Sequence, residues 1–585
     1  MATPQDEGLS RGFAWAALAV ITAVHLGTAV MGVHFGTHWD DYAVVGGMNQ
    51  SVDTMKLSPE YFGYNGMYYV SSALATAPWL AAASPSVVQE LGGELRRPLD
   101  VSRVPSLLQL QERLRTFYNS PEYLPRARVI SSVLVSFLLL WLFLLMRALL
   151  PQRPWLAVSA CLFAGLSWEL NYHARFISID ALMAQFFVLE LWALAKALTG
   201  DEVLKRIFWL VLATWAAALA FGCKVTGVFQ FGLVLAVALF ELPKTLPWTQ
   251  RCVVLFGLVA NFVMAFAVST PVAFTDPVRV VFGLAQERRH YNVAEQTCTH
   301  CVDGWGDHVL QVLTWTSTSV GSMYRGVAVV LFLVCCWGAW RWLRNPHRLA
   351  RYLFSFLAVW LAFMTSNRLF IARNYLILIP FLAVAFAFGV GQLGALLERH
   401  AWAWKKVVLP AAVCAVAVLN AQWLWRAARS IETTTRQTIL ADVRRELSGT
   451  GRTVAMSARL KEVLEQEAAA PLQCLTADET PGQAFVLFSE VEQGAWKARQ
   501  PFLVREVFSS FEVNYRWYPT WYGNNKESRV YEVDVTAAKA LGIPAQPWLN
   551  CRIEPGRPVG SLTDLTPMGR VAFREAVLLG PAGVQ

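Results

Sequence analysis

The chain has 585 residues, of which 55% are hydrophobic and only 16% are charged, and its mean hydropathy is +0.39. A soluble globular protein carries about 25% charged residues, so this composition excludes an ordinary water-soluble enzyme. The net charge of +9 does not call for a nucleic-acid partner, because the basic residues fall in short loops, as is usual beside membrane spans. The composition therefore predicts a polytopic helical membrane protein.

Apolar stretches close to the ~20 residues that cross a bilayer recur over the first 426 residues. The first stretch lacks a small-residue cleavage site, so we interpret it as a retained span and not as a signal peptide. We predict about eleven spans, with an error of two either way, at residues 12–33, 129–149, 155–172, 178–198, 206–222, 226–242, 252–273, 325–343, 350–366, 374–396 and 405–425.

The hydrophilic segment 34–128 follows the first span and opens with His38-Trp39-Asp40-Asp41. An acidic pair beside an apolar bundle is expected to have either an oppositely charged partner or a functional role. Aromatic side chains that can lie at the headgroup level or stack on a sugar come next, among them Tyr64 and Tyr68. A solvated loop end with an interfacial aromatic belt explains these residues equally well. The apolar stretch 68–83, interrupted by a proline, predicts a helix at the interface.

Basic residues sort the connections into two sides. One side, predicted to be cytoplasmic, holds Arg147, Arg153, Lys205, Arg206, Lys244, Arg251, residues 341–351, Arg399, Lys405 and Lys406. The opposite side receives segments 34–128 and 275–325 and the C-terminal segment. Its short corners nevertheless carry isolated charges, namely Arg175, Asp180, Lys224, Arg368 and Arg373. Each cation alone is explained by snorkelling to water. Four cations on the side of Asp40 and Asp41 favour a shared anionic ligand.

Four cysteines lie well outside the predicted spans. Cys298 and Cys301 form a Cys-x-x-Cys near His300 and His308. Zinc is an alternative here, but the histidine spacing fits none of the usual structural zinc patterns. A disulfide in an oxidising compartment is favoured. Cys474 and Cys551 form a second candidate pair, although their spacing alone does not join them.

Residues 427–585 form a separate segment with a different composition. Short apolar runs at 452–457 and 484–489 predict strands, and residues 432–447 and 458–468 predict helices. This alternation indicates a soluble α/β domain after a membrane domain of residues 1–426. It contains no Gly-rich phosphate loop and no nucleophile motif. The aromatic residues between 508 and 522 suit either glycan stacking or packing on another surface.

Several motifs occur in a fixed order on the predicted outer side. They are Tyr64-Asn65-Gly66-Met67-Tyr68-Tyr69, Arg126-Ala127-Arg128, His173-Ala174-Arg175-Phe176-Ile177-Ser178-Ile179-Asp180, Gly222-Cys223-Lys224-Val225-Thr226-Gly227, Ser269-Thr270-Pro271 with Asp276-Pro277, and Arg373-Asn374-Tyr375. With the acidic pair, this order resembles the C-type (GT-C) glycosyltransferase fold. In particular, it resembles the branch that holds protein O-mannosyltransferases and the lipid A aminoarabinose transferase. The chain differs from the latter in having fewer apparent spans and a different first loop.

The resemblance implies an inverting transferase that takes a sugar from a polyprenyl-phosphate carrier at the outer membrane face. Asp40 or Asp41 would be the general base, with a slight preference for Asp41. The implied donor-phosphate ligands are Lys224, Arg175 and Arg373. Supporting roles fall to Asp180, His38, Tyr64, Tyr68 and Arg128, with Asp180 expected to orient Arg175. The acceptor would be a protein, a lipid or a polysaccharide, and the location a bacterial inner membrane with an extracytoplasmic C-terminal domain.

No cofactor is required in this scheme, although Asp40 and Asp41 could hold a divalent cation. That possibility belongs to one alternative, an oligosaccharyl or polymer transferase of the same fold that uses a diphosphate-linked donor. A transporter or flippase is a second alternative, but it would need ionisable groups and broken helices at mid-membrane. The predicted spans are nearly free of charges. A non-catalytic scaffold, the third alternative, would not need the cations on the outer side.

Overall fold

The computed structural model describes residues 11–33, 39–54, 66–83, 104–120, 122–177, 179–243, 246–292, 301–344, 348–399 and 405–431, and, nearer the C-terminus, 454–457, 461, 473–475, 483–489, 503–509, 528–534, 540 and 548–552. The chain divides into two compact units. The larger comprises Met1–Val33 and Asp40–Trp425, and the smaller comprises His34–Trp39 and Arg426–Gln585.

The regular elements among the described residues of the larger unit are helices. Its first half contains α1 (Arg11–Val30), α2 (Trp39–Thr54), α3 (Met67–Ala83), α4 (Val104–Tyr118), α5 (Tyr123–Leu149), α6 (Pro154–Gly165), α7 (Trp168–Ala174), α8 (Ile179–Thr199) and α9 (Val203–Cys223). Its second half contains α10 (Val228–Glu241), α11 (Trp248–Ser269), α12 (Val272–Thr275), α13 (Pro277–Asn292), α14 (Trp305–Trp315), α15 (Arg325–Leu343), α16 (Arg348–Thr365), α17 (Leu378–Arg399) and α18 (Lys405–Ile431).

Nine of the described helices are long and apolar enough to cross a membrane. Two shorter apolar helices, Pro154–Gly165 and Val225–Glu241, occupy two more of the predicted stretches. The prediction of a mainly α, polytopic membrane bundle is therefore confirmed. The protein is an integral multi-pass membrane protein.

The prediction of one continuous span at 155–172 is wrong. Helix α6 ends at Gly165, and the separate helix α7 begins at Trp168. The 12 residues of α6 are about 18 Å long, shorter than the ~30 Å hydrocarbon core. Gly165 lies so close to α1 that an added Cβ would be 2.7 Å from Ile21 Cγ2. The Ser167 hydroxyl, in the break, donates to the carbonyl of Val320 at 3.0 Å.

The segment 275–325, which the sequence suggested was a loop, contains α13 and α14. Asp276 begins α13 as its N-cap, because its Oδ1 accepts a hydrogen bond from the backbone N–H of Arg279 at 3.0 Å. Pro277 occupies the first helical position, where no backbone N–H is needed. The Asp276-Pro277 motif therefore has a structural explanation. Helix α14 continues into a π-helical turn, Thr316–Val320, a feature frequent at functional sites.

Helix α3, predicted as an interfacial helix, packs on the bundle. The Gly66 N–H, just before it, donates to Thr270 Oγ1 at 3.1 Å. The hydroxyls of Ser72 and Tyr123 are hydrogen-bonded at 2.7 Å. An added Cβ at Gly66 would lie 2.2 Å from the Ser269 carbonyl oxygen. A glycine therefore permits this close approach of α3 to the end of α11.

The smaller unit contains a six-stranded mixed sheet. Its strands are β1 (Val454–Ser457), β2 (Gln473–Leu475), β3 (Gln483–Ser489), β4 (Leu503–Ser509), β5 (Ser528–Asp534) and β6 (Trp548–Arg552), in the order β2-β6-β1-β3-β5-β4. Among the described strands, β1 and β3 pair in parallel and the other pairs are antiparallel. The two strands predicted at 452–457 and 484–489 are confirmed. The helices predicted at 432–447 and 458–468 lie outside the described residues, apart from residue 461.

Candidate active site

Four polar side chains meet where three helices end. Asp180 is the second residue of α8, and Lys224 directly follows α9. Arg373 and Asn374 lie in a 3₁₀ turn, Ala372–Tyr375, that precedes α17. Lys224 Nζ donates to Asp180 Oδ1 at 2.7 Å and to Asn374 Oδ1 at 2.6 Å. Arg373 Nε is 3.5 Å from Asp180 Oδ2. We call these four residues the ion cluster.

The ion cluster is shielded from solvent. The exposed fraction of the side chain is 0% for Asp180, 8% for Lys224 and 10% for Arg373. Moving a charge into such surroundings costs several kcal/mol, which only good partner geometry offsets. Two cations here converge on one carboxylate. One cation would be enough to neutralise a single buried carboxylate. The second cation leaves a net positive charge, which this arrangement holds in a fixed place at the end of the bundle.

Arg175 is buried in a different set of contacts. Its guanidinium donates to the carbonyls of Thr28 at 3.2 Å and Met31 at 3.4 Å, and to Asn171 Oδ1 at 3.0 Å. The carbonyls at the end of a helix carry partial negative charge, which a cation stabilises. The ion pairs described for Asp180 run to Lys224 and Arg373. The expectation that Asp180 orients Arg175 stays a prediction.

Arg128 holds the same end of α1. It is 1% exposed, and its Nη1 donates to the Val33 carbonyl at 2.7 Å. Two buried arginines from α5 and from the end of α7 thus fix the point where the chain leaves α1. The acidic pair follows within eight residues of Val33. The supporting role that the sequence resemblance implied for Arg128 stays a prediction.

Asp40 and Asp41 lie in the first turn of α2, but their side chains are outside the described residues, as are His38 and Tyr64. Their predicted roles therefore stay predictions. Tyr68, in contrast, is buried against α2. An added Cβ at Gly47 would lie 2.4 Å from the Tyr68 hydroxyl oxygen, so this glycine makes room for the ring two turns beyond the acidic pair.

The far end of α2 is also held in place. Gln111 of α4 donates to the Val52 carbonyl at 2.9 Å, and Arg115 forms an ion pair with Asp53. Together with the contact of Tyr68 at Gly47, these bonds fix the axis of the helix that carries Asp40 and Asp41.

Sequence reasoning missed two buried glutamates, Glu169 and Glu190, and the contact that His308 makes. Glu169 Oε1 accepts a hydrogen bond from Trp315 Nε1 at 3.0 Å. His308 is bonded to Tyr375, next to the ion cluster. Glu190 lies inside the α8 span, and neither of its carboxyl oxygens has a hydrogen-bond partner among the described residues. A glutamate within an apolar run was the available signal for it, because such residues are rare in membranes.

The described residues support a disulfide at Cys301 and not a zinc site. Cys301 is disulfide-bonded, and both ring nitrogens of His308 are occupied by hydrogen bonds. The predicted partner, Cys298, lies outside the described residues. No group of three or more His, Cys, Asp or Glu side chains within the described ranges could hold a metal. Cys474 lies directly opposite Cys551 in the register of β2 and β6.

No protein-family model matches this chain, and no curated protein matches it. Solved structures do resemble it. ArnT from Cupriavidus metallidurans bound to undecaprenyl phosphate aligns with 89% of this chain and 98% of its own, at 12% identity and a TM-score of 0.45. The archaeal oligosaccharyltransferase AglB from Archaeoglobus fulgidus, in complex with an inhibitory peptide and a dolichol-phosphate, aligns with 74% of this chain and 58% of its own, at 10% identity and a TM-score of 0.42.

At identities of 10–12% and TM-scores of 0.42–0.45 the likeness is distant. The roles proposed below therefore rest on the residues of this chain.

Proposed function

We propose that the protein is an inverting glycosyltransferase that moves a sugar from a polyprenyl-phosphate-linked donor to an acceptor on the extracytoplasmic face of the membrane. The observation that carries this proposal is the ion cluster. It places Lys224 and Arg373 against Asp180, shielded from solvent, at one end of a bundle of membrane-spanning helices. A ligand with a lipid tail in the bilayer and an anionic headgroup at its surface suits that position.

The chemistry of the leaving group explains why fixed cations are useful. When the acceptor oxygen attacks the anomeric carbon, the bond from that carbon to the phosphate oxygen breaks. The electron pair leaves with the polyprenyl phosphate. Positive groups that are already in place stabilise this developing charge without reorganisation. Lys224 would act as a point charge, and Arg373 would supply several N–H donors. Asp180 and Asn374 keep Lys224 oriented before the donor arrives.

The proton of the acceptor hydroxyl needs a base on the opposite side of the sugar. We assign this role to Asp41 or Asp40, at the start of α2. Arg175 and Arg128 then act as positioning residues, because their bonds to the end of α1 determine where the chain enters the segment that carries the acidic pair. This modifies the sequence-based role of Arg175 as a phosphate ligand. In one displacement the anomeric configuration is inverted.

The orientation in the membrane is part of the proposal. Asp41, Lys224, Arg373 and the smaller unit would lie on the non-cytoplasmic side of a bacterial inner membrane, and the Lys and Arg residues of the short loops support this orientation. Membrane-impermeant thiol reagents, applied to intact cells with single cysteines introduced beside these residues, test this. Protection of the smaller unit from the reagent would overturn the orientation.

Lys224→Ala tests the function. With a radiolabelled lipid-linked sugar in proteoliposomes, it should weaken donor binding and sugar transfer together. Lys205→Ala is a matched control, since Lys205 pairs with Glu202 at 2.8 Å and 66% of its side chain is exposed. It should behave as wild type. Undiminished donor binding by Lys224→Ala would contradict the proposal. Loss of wild-type transfer on adding EDTA would favour the diphosphate-donor alternative, and movement of labelled lipid without transfer would favour a flippase.

A further inference from the structure

The segment that begins at Cys301 docks on the corner that carries Arg373 and Asn374. The Val302 N–H donates to the Arg368 carbonyl at 2.9 Å, and Cys301 pairs with Leu369 as an isolated antiparallel bridge. Trp305 Nε1 donates to Thr365 Oγ1 at 2.9 Å. These bonds therefore reach the last residue of α16, Thr365, and also Arg368 and Leu369 in the corner that follows it. We call residues 301–308 the docking segment.

His308, the last residue of the docking segment, reaches furthest towards the ion cluster. Its Nδ1 is 2.8 Å from the Asn367 carbonyl, and its Nε2 is 2.6 Å from the Tyr375 hydroxyl. A carbonyl only accepts hydrogen bonds, so Nδ1 carries the proton. In the neutral ring Nε2 is then the acceptor, and Tyr375 donates to it. Burial lowers the pKa of His308, while the bond to Asn367 and the charge of Asp307 raise it.

Tyr375 is enclosed by aromatic rings and by its hydrogen bond to His308. It is 0% exposed, its ring stacks on Phe370 at 5.6 Å, and it packs against Trp360 and Trp315. Its hydroxyl is bonded to His308. A ring so enclosed has little freedom, and a hydrogen bond at its tip fixes it further.

The backbone links Tyr375 to the ion cluster over one residue. Asn374, its neighbour, places Oδ1 2.6 Å from Lys224 Nζ. The turn is short, and the Asn374 N–H bonds back to the Ile371 carbonyl at 2.9 Å. A rotation of the turn would therefore move Arg373 and Asn374 together, and Lys224 would lose the acceptor that Asn374 provides.

We propose that His308 and Tyr375 are positioning residues for the donor-phosphate site. Their hydrogen bond ties the docking segment to the turn Ala372–Tyr375 and so sets the placement of Arg373 and Asn374 around Lys224. The inference rests on the proposed function, because it names what shapes the proposed phosphate site. It also assigns a role to the docking segment, which the proposed roles of the acidic pair and the cations do not involve.

The test measures binding of undecaprenyl phosphate to the purified full-length protein in nanodiscs, with undecaprenol, which lacks the phosphate, as the parallel probe. Tyr375→Phe and His308→Leu each remove the shared hydrogen bond. His308→Leu also removes the bond to Asn367, so the double variant removes nothing that His308→Leu does not. His308→Gln keeps an oxygen that can accept from Tyr375. Tyr352→Phe is the matched control, since the Tyr352 hydroxyl bonds Glu241 at 2.9 Å instead.

Tyr375→Phe and His308→Leu should each weaken undecaprenyl phosphate binding by about tenfold. The double variant should lose no more, and His308→Gln should recover part of the loss. Undecaprenol binding and the Tyr352→Phe control should not change. If Tyr375→Phe does not fold, the two His308 variants decide. Wild-type affinity in His308→Leu, with binding lost in Lys224→Ala, would overturn the inference alone. No wild-type preference for undecaprenyl phosphate over undecaprenol would overturn the proposed function and the inference with it.

Discussion

Lys224 Nζ lies 2.7 Å from Asp180 Oδ1, although the two residues are 44 positions apart and belong to different helices. Asp180 opens α8 and Lys224 closes α9, so two antiparallel helices bring their charged ends to one level of the bundle. Arg373 joins them from a third element. Three of the charges that the sequence shows at separate corners, Asp180, Lys224 and Arg373, therefore form a single cluster.

Asp180→Asn should destabilise the protein more than an ordinary surface substitution. It keeps the size of the side chain but leaves two buried cations without their shared carboxylate. Breaking a buried ion pair by removing one partner costs about 3 kcal/mol or more. Thermal unfolding in detergent measures the effect. The control is Glu202→Gln, whose partner Lys205 is exposed and whose loss should cost at most about 1 kcal/mol. Equal unfolding temperatures for the two variants would contradict the structural importance of the cluster.

The second prediction concerns pH and His308. Burial lowers the folded-state pKa of this residue below the ordinary value of 6.5. As the pH falls through 6.5, His308 becomes protonated in the unfolded chain but stays neutral in the folded chain, whose pKa is lower. Stability should therefore decrease as the pH drops below about 6.5, by at most about 1.4 kcal/mol per pH unit for this one group. Among the groups that face His308, Asp307 opposes this trend, and Tyr375 would have to turn its hydroxyl to accept.

The measurement is the unfolding temperature between pH 7.5 and pH 5 for wild type and His308→Gln. Glutamine does not titrate, so the variant should lose less stability over this range. Parallel curves would show that His308 does not take up its proton on unfolding, and the neutral ring inferred above would be wrong.

The third prediction is a disulfide between Cys474 and Cys551. The register of β2 and β6 places these residues directly opposite each other, and cross-strand neighbours have Cβ atoms about 4.5–5.5 Å apart. Mass spectrometry of the alkylated, unreduced protein should find both residues linked, and Cys301 linked to Cys298. Alkylation of Cys474 or Cys551 without reduction would rule out the pair in the smaller unit.

Hydropathy was sufficient to predict most of the membrane helices, because crossing a bilayer sets both their length and their composition. It could not predict the break at Gly165, which depends on how closely α1 approaches. It also gave no indication that α14 would dock on the corner at Asn367, since the acceptor for His308 there is a backbone carbonyl, a group that every residue carries.

The candidate site was predicted only in part, because a sequence shows charged residues but not the partners that they meet in the fold. Lys224, Arg373 and Asp180 were identified because a charge at the end of an apolar span is unusual in itself. Their pairing was not predictable, and Arg175, which has the same sequence signal, is bound to the carbonyls of α1. Asn374 and Tyr375 were seen only as part of a motif. Neutral polar residues gain significance from their partners, which sequence spacing does not reveal.

The central claim is that a carboxylate of the acidic pair removes the acceptor proton while the ion cluster holds the donor phosphate. Transfer from a radiolabelled polyprenyl-phosphate sugar, measured with Asp41→Asn and Asp40→Asn in proteoliposomes beside donor binding, tests it most directly. The variant that lacks the base should lose roughly 10²–10⁴-fold in turnover and still bind the donor, because asparagine keeps the shape but accepts no proton. Near wild-type turnover in both variants would contradict the account.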